Sequence, residues 1–286
     1  MVKVSVVIPA YNAEKSIRAT LDCLSKQNYS NFEVIVVDDF SSDSTSFAAS
    51  SVKVIRNETN MGPAASRNVG IHHSKGEIIA FTDDDCIVPF NWVLNIVKHF
   101  ENEQGISVVA GDTKIPPAGF LGDSISLLGF PGGGNVGFEK MWHVSPSGLT
   151  DHFTSCNFAA RKSVFERYGY FDESFPLAGG EDPELAYRLV RQGCKIRFCP
   201  DVIVHHPARR TLSSFISWQL KRGESNYYFK RKVGRVSGFL KLRLWSSKNV
   251  VLHSLFSLRI FLVVPLLFLS FFLQQAGYLK ACFKKS

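Results

Sequence analysis

The six cysteines of this 286-residue chain (Cys23, Cys86, Cys156, Cys194, Cys199 and Cys282) form no CxxC pair and no zinc-binding spacing. That excludes a disulfide framework or a zinc ribbon as the organising device, and scattered reduced thiols fit a cytosolic compartment. No charged leader with an apolar run precedes the first strand, Val4 to Ile8, so no signal peptide is expected. No internal repeat or low-complexity tract stands out. The glycine-rich stretch Phe130-Pro131-Gly132-Gly133-Gly134-Asn135 lacks the lysine and the spacing of a phosphate-binding P-loop. It reads equally as a mobile loop over an acceptor pocket or as a plain linker. Acids nearly vanish after Arg209, where Glu224 stands alone against Arg209, Arg210, Lys221, Arg222, Lys230, Arg231, Lys232, Arg235, Lys241, Arg243 and Lys248.

What is present suffices for one large α/β domain with an appendage: 45% of residues are hydrophobic, and the net charge is +8. Val4 to Ile8 and Phe32 to Val37 are nearly continuous apolar runs, as strands covered on both faces require. Between them Ile17, Leu21 and Leu24 share one helical face. Val52 to Ile55 predicts a third strand, and Gly62-Pro63 opens a helix with proline in its first turn. A strand ending at Phe81, a helix from Trp92 to Phe100 and a strand from Val108 follow. The alternation predicts a doubly wound, mostly parallel sheet.

Ligands bind such sheets beyond the carboxyl ends of the strands. Three expected strand ends carry Pro9-Ala10-Tyr11-Asn12, Asp38-Asp39 and Asp83-Asp84-Asp85, so these groups should share one crevice. Adjacent carboxylates repel unless a cation or donors compensate them, and hard cations such as Mg²⁺ or Mn²⁺ take oxygen ligands. Asp83 and Asp85, two apart, can converge on one metal; the competing reading is a solvated acidic turn. Further on, Gly179-Gly180-Glu181-Asp182 places two acids at a helix start. There they serve as dipole-stabilised caps or, beside a cleft, as a general base.

In sequence order, Val6-Val7-Ile8-Pro9-Ala10-Tyr11-Asn12, Val36-Val37-Asp38-Asp39, Asn60-Met61-Gly62 through Ser66-Arg67-Asn68, Thr82-Asp83-Asp84-Asp85, Asn157 to Arg161, Gly169 to Glu173 and Gly180-Glu181-Asp182 resemble family 2 of the inverting, nucleotide-sugar-dependent glycosyltransferases with the GT-A fold. The likeness covers roughly residues 2–210. It implies a nucleotide-sugar site made of Pro9, Ala10, Tyr11, Asn12, Asp38, Asp39, Arg67, Asp83 and Asp84. Asp39 would accept from a uracil imide if the donor is a UDP-sugar. Asp85 and Asp83 would hold a divalent metal, Mn²⁺ or Mg²⁺, with the register of the triple acid open by one residue. His205 or His206, in Val204-His205-His206-Pro207, would be a further ligand. Asp182 would be the general base, and Glu181 would orient the acceptor or the sugar. Trp218-Gln219-Leu220-Lys221-Arg222-Gly223 resembles the QxxRW motif of processive members, but glycine stands where that motif has tryptophan. Processivity is therefore not expected, while Arg222 would contact the diphosphate.

From Ile260 to Leu273 no charge interrupts an apolar run, which alone falls short of the ~20 residues a membrane span needs. Pro265, central in that run, suits a kink or a re-entrant helix. Basic residues on both sides, Lys284 and Lys285 included, give no direction for spanning. The stretch bearing Phe215, Trp218, Tyr227, Tyr228, Phe229, Phe239, Leu240 and Trp245 suits a membrane interface. Residues 1–210 are thus expected to be a catalytic domain, with 1–112 binding the donor and 113–210 the acceptor. Residues 211–286 would associate with the membrane, leaving the catalytic domain in the cytosol. A glycan or lipid-linked acceptor is expected, nucleic acid is not, and a homo-oligomer stays open. Two other readings are a nucleotidyltransferase, which lacks its Gly/Arg/Lys loop after the first strand, and an inactive GT-A-fold scaffold at the membrane.

Overall fold

The computed structural model describes residues 3–103, 105–176, 179–234 and 239–284, with backbone alone at 239 and 240. Arg235 and Lys285, and the side chains of Phe239 and Leu240, lie outside the described residues. The chain runs β1 (Val4–Ala10), α1 (Ile17–Leu24), β2 (Phe32–Asp38), α2 (Thr45–Ala48), β3 (Lys53–Arg56), α3 (Pro63–His73), β4 (Ile78–Phe81), α4 (Trp92–Asn102) and β5 (Val108–Lys114). It continues through α5 (Gly119–Ser126), α6 (Phe138–Met141), β6 (Leu149–Thr150), β7 (Phe158–Arg161), α7 (Lys162–Tyr168), α8 (Glu181–Arg191) and β8 (Ile196–His205). Three long helices follow: α9 (Leu212–Val233), α10 (Phe239–Ser254) and α11 (Ile260–Phe283).

One mixed sheet has the order β3-β2-β1-β4-β7-β5-β8-β6. It is parallel except that β7 runs against β4 and β5, and β6 against β8. Val7 sits between Ile35 and Phe81 in register, so β2, β1 and β4 release their carboxyl ends side by side. Val4, Val6, Val7 and Ile8 are fully buried because helices cover both faces of β1. On one face α3 sits so close that a Cβ at Gly70 would lie 2.3 Å from Val7 Cγ1. Only glycine permits that approach.

The tail packs through small and polar side chains. A Cβ on Gly223 of α9 would meet the Gln274 carbonyl of α11 at 2.1 Å, and one on Gly277 would meet the Leu220 carbonyl at 2.1 Å. The glycine of the altered QxxRW-like stretch is therefore a helix-crossing residue. Gln219, buried between the helices, accepts from Ser270 Oγ (2.9 Å) and Gln274 Nε2 (2.7 Å). Lys280 pairs with Glu224 at 2.5 Å. Two expectations are corrected here. Pro265 lies in the second turn of a continuous α11 rather than at its centre, because the helix extends to Phe283. Phe215, fully buried, packs with Ile125, Leu128 and Leu266, so it belongs to the core and not to a membrane interface.

Candidate active site

The β1, β2 and β4 ends meet as their register requires. Tyr11, half exposed, donates its backbone N–H to Asp84 Oδ2 (3.3 Å). Asn12 and Phe40 both adopt left-handed φ, 53° and 62°, uncommon for these residues and typical of ligand-facing turns. Asn12 Oδ1 accepts from the Ser42 N–H (2.9 Å), tying the two loops together. Pro9 and Ala10 stay within the ladder opposite Val37 and Asp38.

The two acids after β2 face inward. Asp38, fully buried, accepts from Ser46 Oγ, from the Ser41 N–H (2.9 Å) and from Arg56 Nη1 (2.7 Å). These donors outweigh burial and hold its pKa below the ordinary value. Asp39 takes the N–H groups of Met61 (2.9 Å) and Gly62 (2.7 Å) at the start of α3, and Asn57 Nδ2 (2.8 Å). Asp38 is thus occupied on both oxygens, whereas Asp39 Oδ2 accepts from the Gly62 N–H and keeps acceptor capacity.

The three acids after β4 point in three directions. Asp83 accepts from Arg67 Nη2 (3.3 Å), Asp84 faces Tyr11, and Asp85 Oδ1 lies 3.9 Å from His206 Nε2. Burial first, and then Asp85 and Asp83, push Asp84 up to about 7. Burial also raises Asp85, against the pull of His206. Ligand atoms of Asp83, Cys86 and His206 lie within 4.8 Å of one another. His205 instead pairs its backbone with Ile87, donating at 2.8 Å and accepting at 2.9 Å, and so delivers His206 to the group. Carboxylates with one imidazole fit a hard divalent cation such as Mn²⁺. Cys86 does not fit it. Its hydrogen bond with Cys156 and its burial raise the thiol well above the ordinary value, so it stays protonated.

Arg67, on α3 and buried, links these acids to α8: its Nη1 donates to Glu181 Oε1 at 2.9 Å. Burial opposes its charge, yet Asp83, Glu181 and Asp182 raise its pKa. Glu181 Oε2 accepts from the N–H groups of Gly179 (2.7 Å) and Gly180 (2.9 Å). Asp182 differs from its neighbour. Its Oδ2 accepts from the Ser155 N–H at 3.2 Å, while its Oδ1 is closed from solvent and has no hydrogen-bond partner. Burial, then Glu181, raise this carboxyl to about 7, only partly offset by Arg67.

Beyond Asp182, Arg222 of α9 lies with its guanidinium 3.5 Å from the Phe130 ring centroid and 5.3 Å from that of Trp218. The glycine-rich stretch is therefore neither free loop nor plain linker at this point: Phe130 packs against Arg222, Trp142 and Trp218, and a Cβ on Gly132 would strike Thr113. No motif or periodicity pointed to His152 and Trp142, which stack at 3.6 Å, or to Ser155, whose backbone N–H reaches Asp182. Asn157 proves structural, holding Trp92 Nε1 (2.9 Å) and the carbonyls of Asp112 (2.7 Å) and Val202 (2.9 Å).

This architecture defines a GT-A-fold α/β transferase, with clustered acids at the sheet edge and a lone carboxylate at a facing helix start. The chain belongs to glycosyl transferase family 2, whose family model matches residues 5–169, more than half of its length. Haloferax volcanii glycosyltransferase AglE is 26% identical over 277 residues, covering 92% of this chain and 81% of that protein. Escherichia coli WfgD, a UDP-Glc:alpha-D-GlcNAc-diphosphoundecaprenol beta-1,3-glucosyltransferase, is 40% identical over 97 residues, 32% of this chain and 37% of its own. The mannosyltransferase PcManGT from Pyrobaculum calidifontis, solved with GDP-Man and Mn²⁺, superposes with a TM-score of 0.69 at 19% identity, covering 100% of this chain and 88% of its own. That likeness speaks for the fold.

Proposed function

We propose that this glycosyltransferase moves a sugar from a nucleoside-diphosphate sugar, a UDP-sugar in the first instance, to a hydroxyl of a membrane-borne acceptor, inverting the anomeric carbon. The observation carrying the reading is Asp182 Oδ1, a buried carboxylate oxygen with no protein partner. A carboxyl near pH 7 in such a place is matched to taking a proton from a sugar hydroxyl. The acceptor oxygen bonds to the anomeric carbon as the bond from that carbon to the diphosphate oxygen breaks, and the proton passes to Asp182. The nucleoside diphosphate leaves with the bonding pair. Glu181, held by Arg67 and two backbone N–H groups, fixes the start of α8 and so aims Asp182. Tyr11, exposed at the crevice, and Asp84 beside it line the nucleotide end.

Asp85, Asp83 and His206 would hold a divalent cation, which supplies positive charge for the departing diphosphate. The donor nucleotide stays to be chosen: WfgD is named for UDP-Glc, and PcManGT was solved with GDP-Man. The name of WfgD also motivates a lipid-linked acceptor.

The membrane reading rests on the tail. Among the described residues α11 is the one helix long and apolar enough to cross a membrane. Its inner face, however, lies along α9, a helix bearing Lys221, Lys230, Arg231 and Lys232. Its outer face exposes Phe261, Phe268, Phe271 and Phe272, and Phe256 beside it is 99% exposed. A charged neighbour along one side and rings along the other suit a helix lying in the interface plane of an anionic leaflet. The catalytic domain would then face the cytosol.

The deciding experiment is nucleotide release from UDP-, GDP- and dTDP-sugars with Mn²⁺, Mg²⁺ or EDTA, beside Asp182→Asn. Metal-dependent release of one nucleotide, lost in the variant, is expected. Binding of no nucleotide under any condition would overturn the reading.

A further inference from the structure

Asp182 Oδ1, Arg222 Nη1 and Trp142 Nε1 are side-chain atoms closed from solvent and without a hydrogen-bond partner. Packing contacts draw their residues together. A Cβ at Gly180, two residues before Asp182, would lie 3.4 Å from the Ser225 carbonyl oxygen, which is about one turn beyond Arg222 on α9. The Arg222 guanidinium covers the Phe130 ring. Phe130 in turn meets Trp142 edge to face at 5.9 Å and Trp218 at 6.0 Å. A Cβ at Gly132 would lie 3.2 Å from Thr154 Oγ1, and the residue after Thr154, Ser155, donates its N–H to Asp182 Oδ2. His152 completes the group by stacking on Trp142. Among the described residues, no hydrogen bond takes up either ring nitrogen of His152. Burial first, and then Arg222, drive its pKa down to about 3. The imidazole is therefore neutral, with one nitrogen to donate and one to accept.

The polar set is mixed. A carboxylate oxygen accepts, an indole and a guanidinium donate, and an imidazole does both, all among aromatic rings. Buried polar atoms left unpaired are costly, so such a site favours the ligand that satisfies them and rejects one that does not. A phosphate satisfies the donors but is repelled by Asp182. A long-chain alcohol brings one hydroxyl and leaves Trp142 and His152 unpaired. A sugar ring brings several hydroxyls, each able to donate and accept, and apolar C–H faces that suit aromatic walls. Phe130, Trp142, His152, Asp182, Trp218 and Arg222 are each only partly covered, so the group is reachable from the surface.

We propose that the acceptor's reacting hydroxyl belongs to a sugar ring, and that Trp142 Nε1–H and the His152 imidazole hydrogen-bond other hydroxyls of that ring while the reacting one faces Asp182 Oδ1. The inference rests on the transferase reading above and narrows its acceptor to a glycoside. The sugar seat itself is testable without turnover, and the test separates an acceptor sugar from the sugar of the donor.

Purified full chain, with EDTA and again with UDP and Mn²⁺, is titrated with methyl β-glucoside, methyl β-galactoside, methyl α-mannoside and methyl N-acetyl-β-glucosaminide. Glycerol and methyl phosphate are the controls, and tryptophan fluorescence is the readout because Trp142 and Trp218 flank the group. At least one glycoside should bind about 10-fold or more tightly than either control. Trp142→Phe keeps a ring and loses the N–H, and His152→Phe keeps the stack and loses both nitrogens. Each should weaken that glycoside about 10-fold, as loss of a hydrogen bond to a buried group predicts, and keep UDP–Mn²⁺ affinity within about 3-fold by calorimetry. Melting temperatures identify a variant that fails to fold, and the other then decides. The proposal is overturned if no glycoside outbinds glycerol, if methyl phosphate binds best, or if the folded variants bind the glycoside like wild type. It is equally overturned if the variants weaken UDP-glucose or UDP-N-acetylglucosamine as much as the glycoside while leaving UDP unchanged, which assigns the seat to the donor sugar. Wild type that binds a glycoside but no nucleotide would sink the transferase reading and leave the sugar seat standing.

Discussion

Arg67 and Glu181, 114 positions apart in sequence, meet across 2.9 Å in a nearly solvent-free ion pair. The contact joins α3, which packs on β1 and β2, to the first residue of α8, whose second residue is Asp182. The acids after β4 and the start of α8 are thereby held together through Arg67. Removing Glu181 leaves the buried Arg67 with the longer Asp83 contact, and removing Arg67 leaves the buried Glu181 with backbone N–H groups as its partners. Glu181→Gln or Arg67→Met should therefore lower stability by about 3 kcal/mol and cut kcat/KM by about 10- to 100-fold through misplacement of Asp182. Urea denaturation alongside steady-state kinetics checks both, and an intact midpoint with either variant would contradict the pairing.

Asp182 sets a pH profile. Its carboxyl sits at about 7 against an ordinary 3.8, so kcat/KM should climb through neutrality and level off above it. Asp182→Asn should lower kcat by about 10²- to 10⁴-fold at pH 8. The stability effect has the opposite sign. With a raised pKa the folded state binds more protons than the unfolded chain, so stability falls as pH rises from about 4 to about 7. Asp182→Asn should flatten that fall and raise the melting temperature at pH 8, a gain seen where function strains a site. Thermal melts from pH 4 to 8 read this directly.

Metal binding distinguishes the ligands. Mn²⁺ should raise the melting temperature of wild type in a concentration-dependent way, and EDTA should reverse the gain. Asp85→Asn and His206→Ala should each weaken Mn²⁺ by about 10-fold or more, measured by calorimetry. Cys86→Ser should bind within about 3-fold of wild type, because a protonated buried thiol is no ligand for a hard ion. The cation should also draw Asp84 below its metal-free value of about 7.

Gly223 and Gly277 let α9 and α11 touch backbone to backbone. Gly223→Trp, which restores the residue of the QxxRW motif, should not confer processivity. It should push α11 off α9 and cost more than about 3 kcal/mol, while Gly277→Ala should cost less. Limited proteolysis of the tail and melting temperature report the separation.

Vesicle flotation tests the outer face of α11. Wild type should float with anionic vesicles and progressively less as salt rises. Replacing Phe268 and Phe272 with Glu together should reduce bound protein several-fold without changing the melting temperature, since both side chains are exposed.

Much was legible in the residues themselves. Buried strands announce themselves as apolar runs, so β1, β2, β4 and the carboxyl-end crevice followed from Val4 to Ile8, Phe32 to Val37 and the Asp83–Asp85 stop. Helix starts at Pro63 and Glu181 followed from cap chemistry, a local property of a few neighbouring residues. Other features needed the folded chain, because direction and partnership are set by contacts distant in sequence. Three consecutive aspartates look alike as letters, yet Asp83 turns to Arg67, Asp84 to Tyr11 and Asp85 to His206. Asp38 looks like a ligand group, but Arg56, Ser46 and the Ser41 N–H occupy it, while Asp39 is anchored at the start of α3. Of two adjacent histidines, strand pairing with Ile87 uses the backbone of His205 and turns His206 to the acids. The group of Phe130, Trp142, His152 and Arg222 has no sequence period at all. Composition and periodicity thus determined the sheet and its functional edge, while long-range packing decided which charges were spent on structure and which were left free for chemistry.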